Sequence, residues 1–278
     1  MKTAGKGKNM RQRARFLLII AVIFLAGVAA AGVLCRDAAM VTDFSRKDLA
    51  PCLKYPFGTD WLGRNMFYRT LTGLSMSILI GVCAAGVSAA MALVLGVAAA
   101  TLGKKTDSVI SFFIDMVMGI PHILLLVLIS YAAGKGLKGV VIGVALTHWT
   151  SLARLIRGEV LQLKESEYIQ IARKLGHGNF EIARKHMLPH LLPQFLVGLV
   201  LMFPHAILHE SSITFLGFGL SSEQPAIGVI LSESMKYLIT GKWWLALFPG
   251  LMLVLTVVLF DLGGTSLRKI LDPGSVHE

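Results

Sequence analysis

The chain has 278 residues, of which 55% are hydrophobic and only 15% are charged, and its mean hydropathy is +0.69. Soluble domains average about 45–50% apolar and about 25% charged residues, so these values exclude a soluble globular domain and a disordered chain. They predict an all-α, polytopic membrane protein. The net charge of +11 does not indicate nucleic-acid binding, because the Lys and Arg residues cluster between long apolar runs, as in the short loops of membrane proteins.

Six apolar stretches have the composition of membrane-spanning helices. A helix needs about 20 mostly apolar residues to cross a hydrocarbon core of about 30 Å. The predicted spans, in chain order, are Phe16–Leu34, Leu74–Leu102, Ser108–Ala133, Gly139–Leu155, Leu191–Gly217 and Trp244–Leu262.

The first stretch could be read as a cleaved signal peptide, because basic residues precede it and a run of alanines, 29–31, lies near its end. Its apolar run is longer than the roughly 7–15 residues of a signal core, so we expect a retained anchor. Cys35 and Cys52 share the hydrophilic segment that follows. The sequence leaves open whether they form a disulfide or remain two thiols.

The distribution of basic residues predicts the orientation. If the N-terminus is inside, 17 of the 27 Lys and Arg residues lie in inner segments and 10 in outer segments. Cytoplasmic loops carry the excess of basic residues, so we expect both termini in the cytoplasm.

The second span carries small residues at every fourth position, Ser88, Ala92, Gly96 and Ala100. Small residues at this spacing let a second helix approach closely, so we expect a packing seam here.

The long inner segment after the fourth span contains two short amphipathic pieces. In the first, Ile169, Ala172 and Leu175 recur at helical spacing, and Gly176 interrupts the pattern. The second piece begins near Phe180 and is expected to end at Leu188–Pro189. Two such helices suit insertion into a groove of a soluble partner or binding to anionic lipid, and the pattern does not decide between them.

The same segment resembles the EAA loop of ABC-importer permeases, which docks on an ATPase subunit. The resemblance rests on Gly176 and, after nine intervening residues, on His186-Met187-Leu188-Pro189. Gln170, Ile171 and Ala172 stand where the name-giving Glu-Ala-Ala would be, so only the last alanine matches.

Two further motifs narrow the resemblance. Residues 57–65, FGTDWLGRN, are similar to a signature of dipeptide, oligopeptide and nickel permeases, and residues 210–219, ESSITFLGFG, are similar to a second one. With Asp272-Pro273 near the end, the likeness extends from about residue 55 to the C-terminus. It fits the second, C-type inner-membrane subunit of such importers.

This resemblance implies a type I ABC-importer permease fold with six transmembrane helices in a bacterial inner membrane. Residues 1–73 would hold the cytoplasmic N-terminus, the first helix and an external loop; 74–264 would form the five-helix permease domain, with the docking loop at about 156–190; and 265–278 would form a cytoplasmic tail. The implied ATPase-docking residues are Gln170, Ile171, Ala172, Gly176, Leu188 and Pro189.

The resemblance also implies the partners, which are a second homologous permease, two ATPases, an external solute-binding protein and membrane lipid, with no nucleic acid. The chain contains no Gly-x4-Gly-Lys-Ser/Thr loop, so it has no phosphate cradle of its own. We therefore expect a non-catalytic subunit without a cofactor, whose partner ATPases bind ATP and Mg²⁺.

Several ionisable residues fall at bilayer depth, where they normally face protein or water. Asp115, His205, His209 and Glu210 are the candidate pathway residues, and His122, His148 and Asp261 share that depth. His205 and His209 lie one helical turn apart, which is suitable spacing for two metal ligands; ordinary hydrogen bonding between helices is the alternative.

The substrate stays open between nickel or metal chelates and di- or oligopeptides. Two other functions compete with the importer. One is an ion-coupled secondary transporter that uses Asp115 and Glu210 as proton carriers, and the other is a membrane scaffold that transports nothing.

Overall fold

The computed structural model describes residues 2–271, apart from the side chains of residues 2–10 and of Asn179. This part of the chain is helical, and its only β-type pairing is an isolated bridge between Thr59 and Asn65. The α-helices are α1 Lys2–Leu34, α2 Arg36–Met40, α3 Met66–Thr101, α4 Lys104–Gly119, α5 His122–Ala132, α6 Gly136–Glu165, α7 Glu167–Lys174, α8 Asn179–Ile182, α9 Leu188–Phe215, α10 Ile227–Leu238 and α11 Trp244–Leu271. A 3₁₀ turn, Phe44–Arg46, precedes α3, and a π turn, Ala183–Met187, precedes α9. The motif residues Asp272-Pro273 lie outside the described range.

The helices confirm the predicted all-α membrane fold. Five of them, α1, α3, α6, α9 and α11, are long and apolar enough to cross a membrane, and α4 with α5 passes the same test only as a bent pair, which is either a broken span or a re-entrant loop. The helices extend beyond most of the predicted spans: α6, for example, continues ten residues past the predicted end at Leu155, to Glu165. Cys35 and Cys52 are free, so the structure contains thiols and no disulfide at these positions.

The third predicted span is broken in the middle. Its two halves, α4 and α5, meet at an angle of 101°. Pro121 follows the break and has no amide hydrogen, and Ile120 before it is extended, with φ −91° and ψ 139°, as residues before proline usually are. The sequence contained this signal, but the continuous apolar run concealed the bend.

Pro189, unlike Pro121, does not interrupt the helical chain. The expectation that the second amphipathic piece ends at Leu188–Pro189 is wrong, because the chain stays helical from Phe180 to Phe215. Pro189 occupies the first turn of α9, where a missing amide hydrogen costs little. The π turn Ala183–Met187 joins α8 to α9 without a break.

The packing seam predicted for α3 is confirmed, and its partner is α6. Ser88, Ala92, Gly96 and Ala100 are all buried. The Ser88 hydroxyl donates to the carbonyl of Ala145 at 2.7 Å. A Cβ added at Gly96 would lie 2.8 Å from the Ala153 carbonyl oxygen, so the two backbones approach too closely there for any larger residue.

The anchor helix α1 packs against α3 and α11. Two hydroxyls of α3 donate to carbonyl oxygens of α1: Thr72 bonds to Gly32 at 3.1 Å and Ser75 bonds to Ala29 at 3.0 Å. These bonds attach the N-terminal helix to the domain that carries the motifs.

We predict that Gly96→Val destabilises the protein, because the new side chain has to separate α3 from α6. The expected cost is about 1–3 kcal/mol, as for other overpacked cores, and it should appear as a lower melting temperature of the detergent-solubilised chain. Gly86→Val is the matched control, because Gly86 lies in the same helix and a Cβ added there would meet nothing within 4 Å. Equal melting temperatures for the two variants would contradict the seam.

Candidate functional site

A cavity of about 780 Å³ lies between the α4–α5 break, α6, α9 and the end of α11. Most of its wall area is apolar, and nine of its lining side chains are polar. They are His122, Thr147, His148, Thr150, Ser151, Gln194, His205, His209 and Arg268. This pattern, an apolar wall with a few convergent polar groups, is typical of sites for small molecules.

Three histidines on different helices meet in this wall. The ring centroids of His122 and His209 are 4.4 Å apart, those of His122 and His148 are 4.8 Å apart, and those of His148 and His209 are 5.1 Å apart. All three rings are partly buried. The break at Pro121 brings His122 to this position, because His122 is the first residue of α5.

The four candidate pathway residues fall in different places. His205 and His209 both line the cavity, and His205 is the more exposed of the two. Asp115 lies outside the cavity wall. It forms an exposed ion pair with Arg154, in which Arg154 Nη2 lies 2.5 Å from Asp115 Oδ1. The predicted metal pair His205–His209 therefore shares its cavity with His122 and His148, of which the sequence predicted only that they lie at bilayer depth.

Glu210 is fully buried and does not line the cavity. Its carboxylate accepts hydrogen bonds from Thr214, at 3.0 Å, and from Ser211, at 3.2 Å. The Thr214 hydroxyl in turn accepts from the amide of Leu220, at 3.3 Å. The motif at residues 210–219 thus forms a polar cluster that holds the end of α9 to the loop after it.

The predicted docking loop has an inner and an outer face. Ile169 and Ala172, two members of the apolar stripe, are buried and fix α7 to the core, so Ala172, one of the implied docking residues, faces this chain's own interior. Leu175 belongs to the same stripe, but it is 73% exposed. The reason is that α7 ends at Lys174 and the chain turns outward there.

Gly176 ends α7 in a Schellman motif. Its φ of +89° is in the left-handed region. The amide of His177 donates to the carbonyl of Ala172 at 3.2 Å, and the amide of Gly176 donates to the carbonyl of Arg173 at 3.0 Å. A Cβ at Gly176 would meet nothing within 4 Å, so glycine is needed here for its backbone conformation and not for space.

The outer face of the loop carries apolar side chains that are largely exposed. Ile171 is 56% exposed and Phe180 is 81% exposed. Gln170 is exposed beside Ile171, and Leu188 lines an apolar groove between α3 and the start of α9. Pro189 is exposed in the first turn of α9.

The motif at residues 57–65 has a role that the sequence did not reveal. Asp60 is fully buried and its Oδ2 accepts from Arg64 Nε and from Arg69 Nη1, both at 2.7 Å. Its Oδ1 accepts from the amides of Leu62 and Arg64 at 2.9 Å. Arg69 also pairs with Glu233 of α10 at 3.1 Å.

This ion network attaches the loop before α3 to α10. The Trp61 ring stacks on Tyr237 of α10, with 4.6 Å between ring centroids. The Arg64 guanidinium lies 5.4 Å from the Trp61 ring. Glu233 lies far from the motif along the chain and belongs to no motif of its own, so only the fold reveals it.

Families and proteins that are similar to this chain in sequence agree with this architecture. Residues 92–276 match the family described as "binding-protein-dependent transport system inner membrane component". The dipeptide transport permease DppC of Bacillus subtilis is 33% identical over 82% of this chain and 72% of its own length. The oligopeptide permease OppC of the same organism is 32% identical over 92% and 84%, and the probable D,D-dipeptide permease DdpC of Escherichia coli is 30% identical over 83% and 77%.

A solved structure shows the same fold. A chain of the MetNI methionine ABC transporter in an inward-facing conformation superposes with a TM-score of 0.62, at 18% identity, over 74% of this chain and 98% of that chain. The spans and this likeness define a multi-span membrane protein with the permease fold of ABC transporters. The chain belongs to the family of inner-membrane components of binding-protein-dependent transport systems.

Asp60→Ala should be among the most destabilising single changes, because it leaves the Arg64 and Arg69 guanidiniums buried without their main partner. Removing one member of a buried ion pair costs about 3–5 kcal/mol. Thermal unfolding of the purified protein measures this loss. Arg46→Ala is the control, since its exposed pair with Asp43 lies in the loop outside the spans and is worth about 0–1 kcal/mol. A comparable loss of stability in both variants would count against the buried network.

Proposed function

We propose that this chain forms one half of the translocation path of an ATP-driven importer of di- or oligopeptides. The observation that carries the proposal is the alignment with peptide permeases, which extends over most of the chain. The cavity supports it, because about 780 Å³ is within the range of sites that enclose small molecules.

The second half of the path is a related permease, and two ATPase subunits supply the energy. The exposed apolar side chains Ile171, Leu175 and Phe180 support docking, since an amphipathic helix binds a partner groove through such anchors. Arg173 and Lys174 flank this patch. An external solute-binding protein delivers the substrate, and membrane lipid surrounds the subunit.

This chain has no catalytic role in the proposal. ATP and Mg²⁺ bind to the ATPase subunits, and the permease converts their motion into access to the cavity. The protein lies in the bacterial inner membrane with both termini in the cytoplasm, which agrees with its basic inner segments.

A second candidate substrate is nickel or a metal chelate. The histidine cluster of the cavity favours this candidate, because imidazole is a good ligand for nickel and similar ions. The alignment with peptide permeases favours peptides.

The docking role predicts that Gly176→Val abolishes most peptide uptake while the chain still inserts and assembles. A valine at φ +89° is strained by roughly 1–2 kcal/mol, and the strain alters the angle at which the tip of the loop leaves α7. Gly178→Val is the matched control, because Gly178 is nearby, open on all sides and has no left-handed φ. Uptake of a labelled dipeptide, and ATPase activity stimulated by the binding protein, are measured at equal expression.

Normal uptake by the Gly176→Val variant would contradict the docking role. Uptake by this chain alone in proteoliposomes, driven by an ion gradient without ATPase subunits, would instead support a secondary transporter. ATPase activity that never responds to substrate would support the scaffold.

Labelling of single cysteines tests the orientation. In a Cys35→Ser, Cys83→Ser background, an impermeant thiol reagent applied to whole cells should label the exposed Cys52, because the loop before α3 is expected outside. A cysteine at Lys174, in the same background with Cys52→Ser, should react only after the cells are opened. The reverse pattern would overturn both the orientation and the docking role.

A further inference from the structure

The three histidines of the cavity are arranged as a set of ligands. One nitrogen of each ring of His122, His148 and His209 lies within 4.8 Å of the others. The three residues come from α5, α6 and α9, so the cluster is produced by the fold and not by the periodicity of a single helix. The metal pair predicted from helical spacing included only His209 of this set.

Hydrogen bonding prepares one of the rings, that of His148, to donate a lone pair, and two of the rings have a buried nitrogen without a partner among the described residues. Nδ1 of His148 lies 3.0 Å from the carbonyl oxygen of Val144, which can only accept, so Nδ1 carries the proton and Nε2 is free to act as a ligand. The Nε2 atoms of His148 and His122 are buried without a hydrogen-bond partner among the described residues. A backbone carbonyl on the other ring nitrogen is the usual support of a metal-binding histidine.

We propose that His122, His148 and His209 bind a divalent transition-metal ion of the Ni²⁺ type on its way through this subunit. Three neutral imidazoles suit such ions, and they leave the remaining coordination positions open toward the cavity. The inference rests on the proposed importer function, because the ion is cargo that this subunit passes on.

The spacing of the nitrogens suits a site that releases its ion. Two adjacent nitrogen ligands at about 2.1 Å from an ion with square-planar or octahedral angles lie about 3.0 Å apart, so a pair at the full 4.8 Å has to close by about 1.8 Å when an ion binds. His122, which begins α5 at the 101° bend, is the ligand that we expect to move. The free energy that this closure consumes weakens binding, as a transport path requires.

The charge of the cavity indicates the form in which the ion passes. Among the described residues that line it there is no carboxylate, and Arg268 is the one permanently charged side chain. A bare divalent cation is repelled by this wall, whereas a chelate that carries carboxylates is attracted. Small peptides are chelators of this type, which reconciles a metal site with a peptide-permease fold.

Equilibrium dialysis with radioactive Ni²⁺ tests the site. The complex of both permeases and both ATPases, reconstituted in nanodiscs, is dialysed against free Ni²⁺ and, separately, against the Ni²⁺–diglycine chelate. We expect saturable binding that is tighter for the chelate. His122→Gln, His148→Gln and His209→Gln should each weaken it by at least about tenfold. His190→Gln is the control, because His190 is exposed in α9 outside the cavity wall and should not change binding.

Equal binding by wild type and the three cavity variants would overturn the metal site. Tighter binding of free Ni²⁺ than of the chelate would overturn the chelate form. His209→Asp controls for loss of binding through misfolding. It keeps a ligand atom and should restore the Ni²⁺ binding that is lost in His209→Gln. ATPase activity stimulated by the binding protein is measured on the same samples, and a complex that couples normally but binds no Ni²⁺ would remove the metal site while leaving the importer intact.

Discussion

The close contact of α3 with α6 is the constraint on which the rest of the molecule depends. A lipid environment offers no hydrophobic force to bring two apolar helices together, so close backbone approach and interhelical hydrogen bonds have to hold them. Gly96 and Ser88 supply both. With α6 fixed, His148 has a defined position, and α5 and α9 pack around it to close the cavity.

Polar interactions hold the segments that the contact between α3 and α6 does not hold in place. The buried Asp60–Arg64–Arg69–Glu233 network attaches the loop before α3 to α10, and the cluster around Glu210 attaches the end of α9 to the chain that follows. The buried carboxylate at the centre of each cluster, Asp60 or Glu210, belongs to a segment that the sequence singled out as a motif. In each cluster a buried carboxylate is surrounded by donors, and that is the condition under which a charge or a polar group is tolerated inside a protein.

The sequence predicted the parts of this fold that depend on local pattern. The apolar runs predicted the spans, the small residues at every fourth position predicted the seam, and Gly176 predicted the end of α7. It did not predict the pairing of Glu233 with Arg69, or the meeting of His122 and His148, because these contacts join distant segments. The proline signals were ambiguous by themselves: Pro121 breaks a span and Pro189 begins a helix, and their helical context decides between these outcomes.

The continuous helix from Phe180 to Phe215 has a mechanical consequence. Its 36 residues extend over roughly 54 Å, so a tilt of the whole helix about its Phe180 end moves the Phe215 end by about 1 Å per degree. A single helix therefore connects the segment around Phe180, where docking is proposed, to His209 in the cavity wall. Pro193 and Pro204 are the positions at which such a helix bends, and both lie between the Phe180 segment and His209.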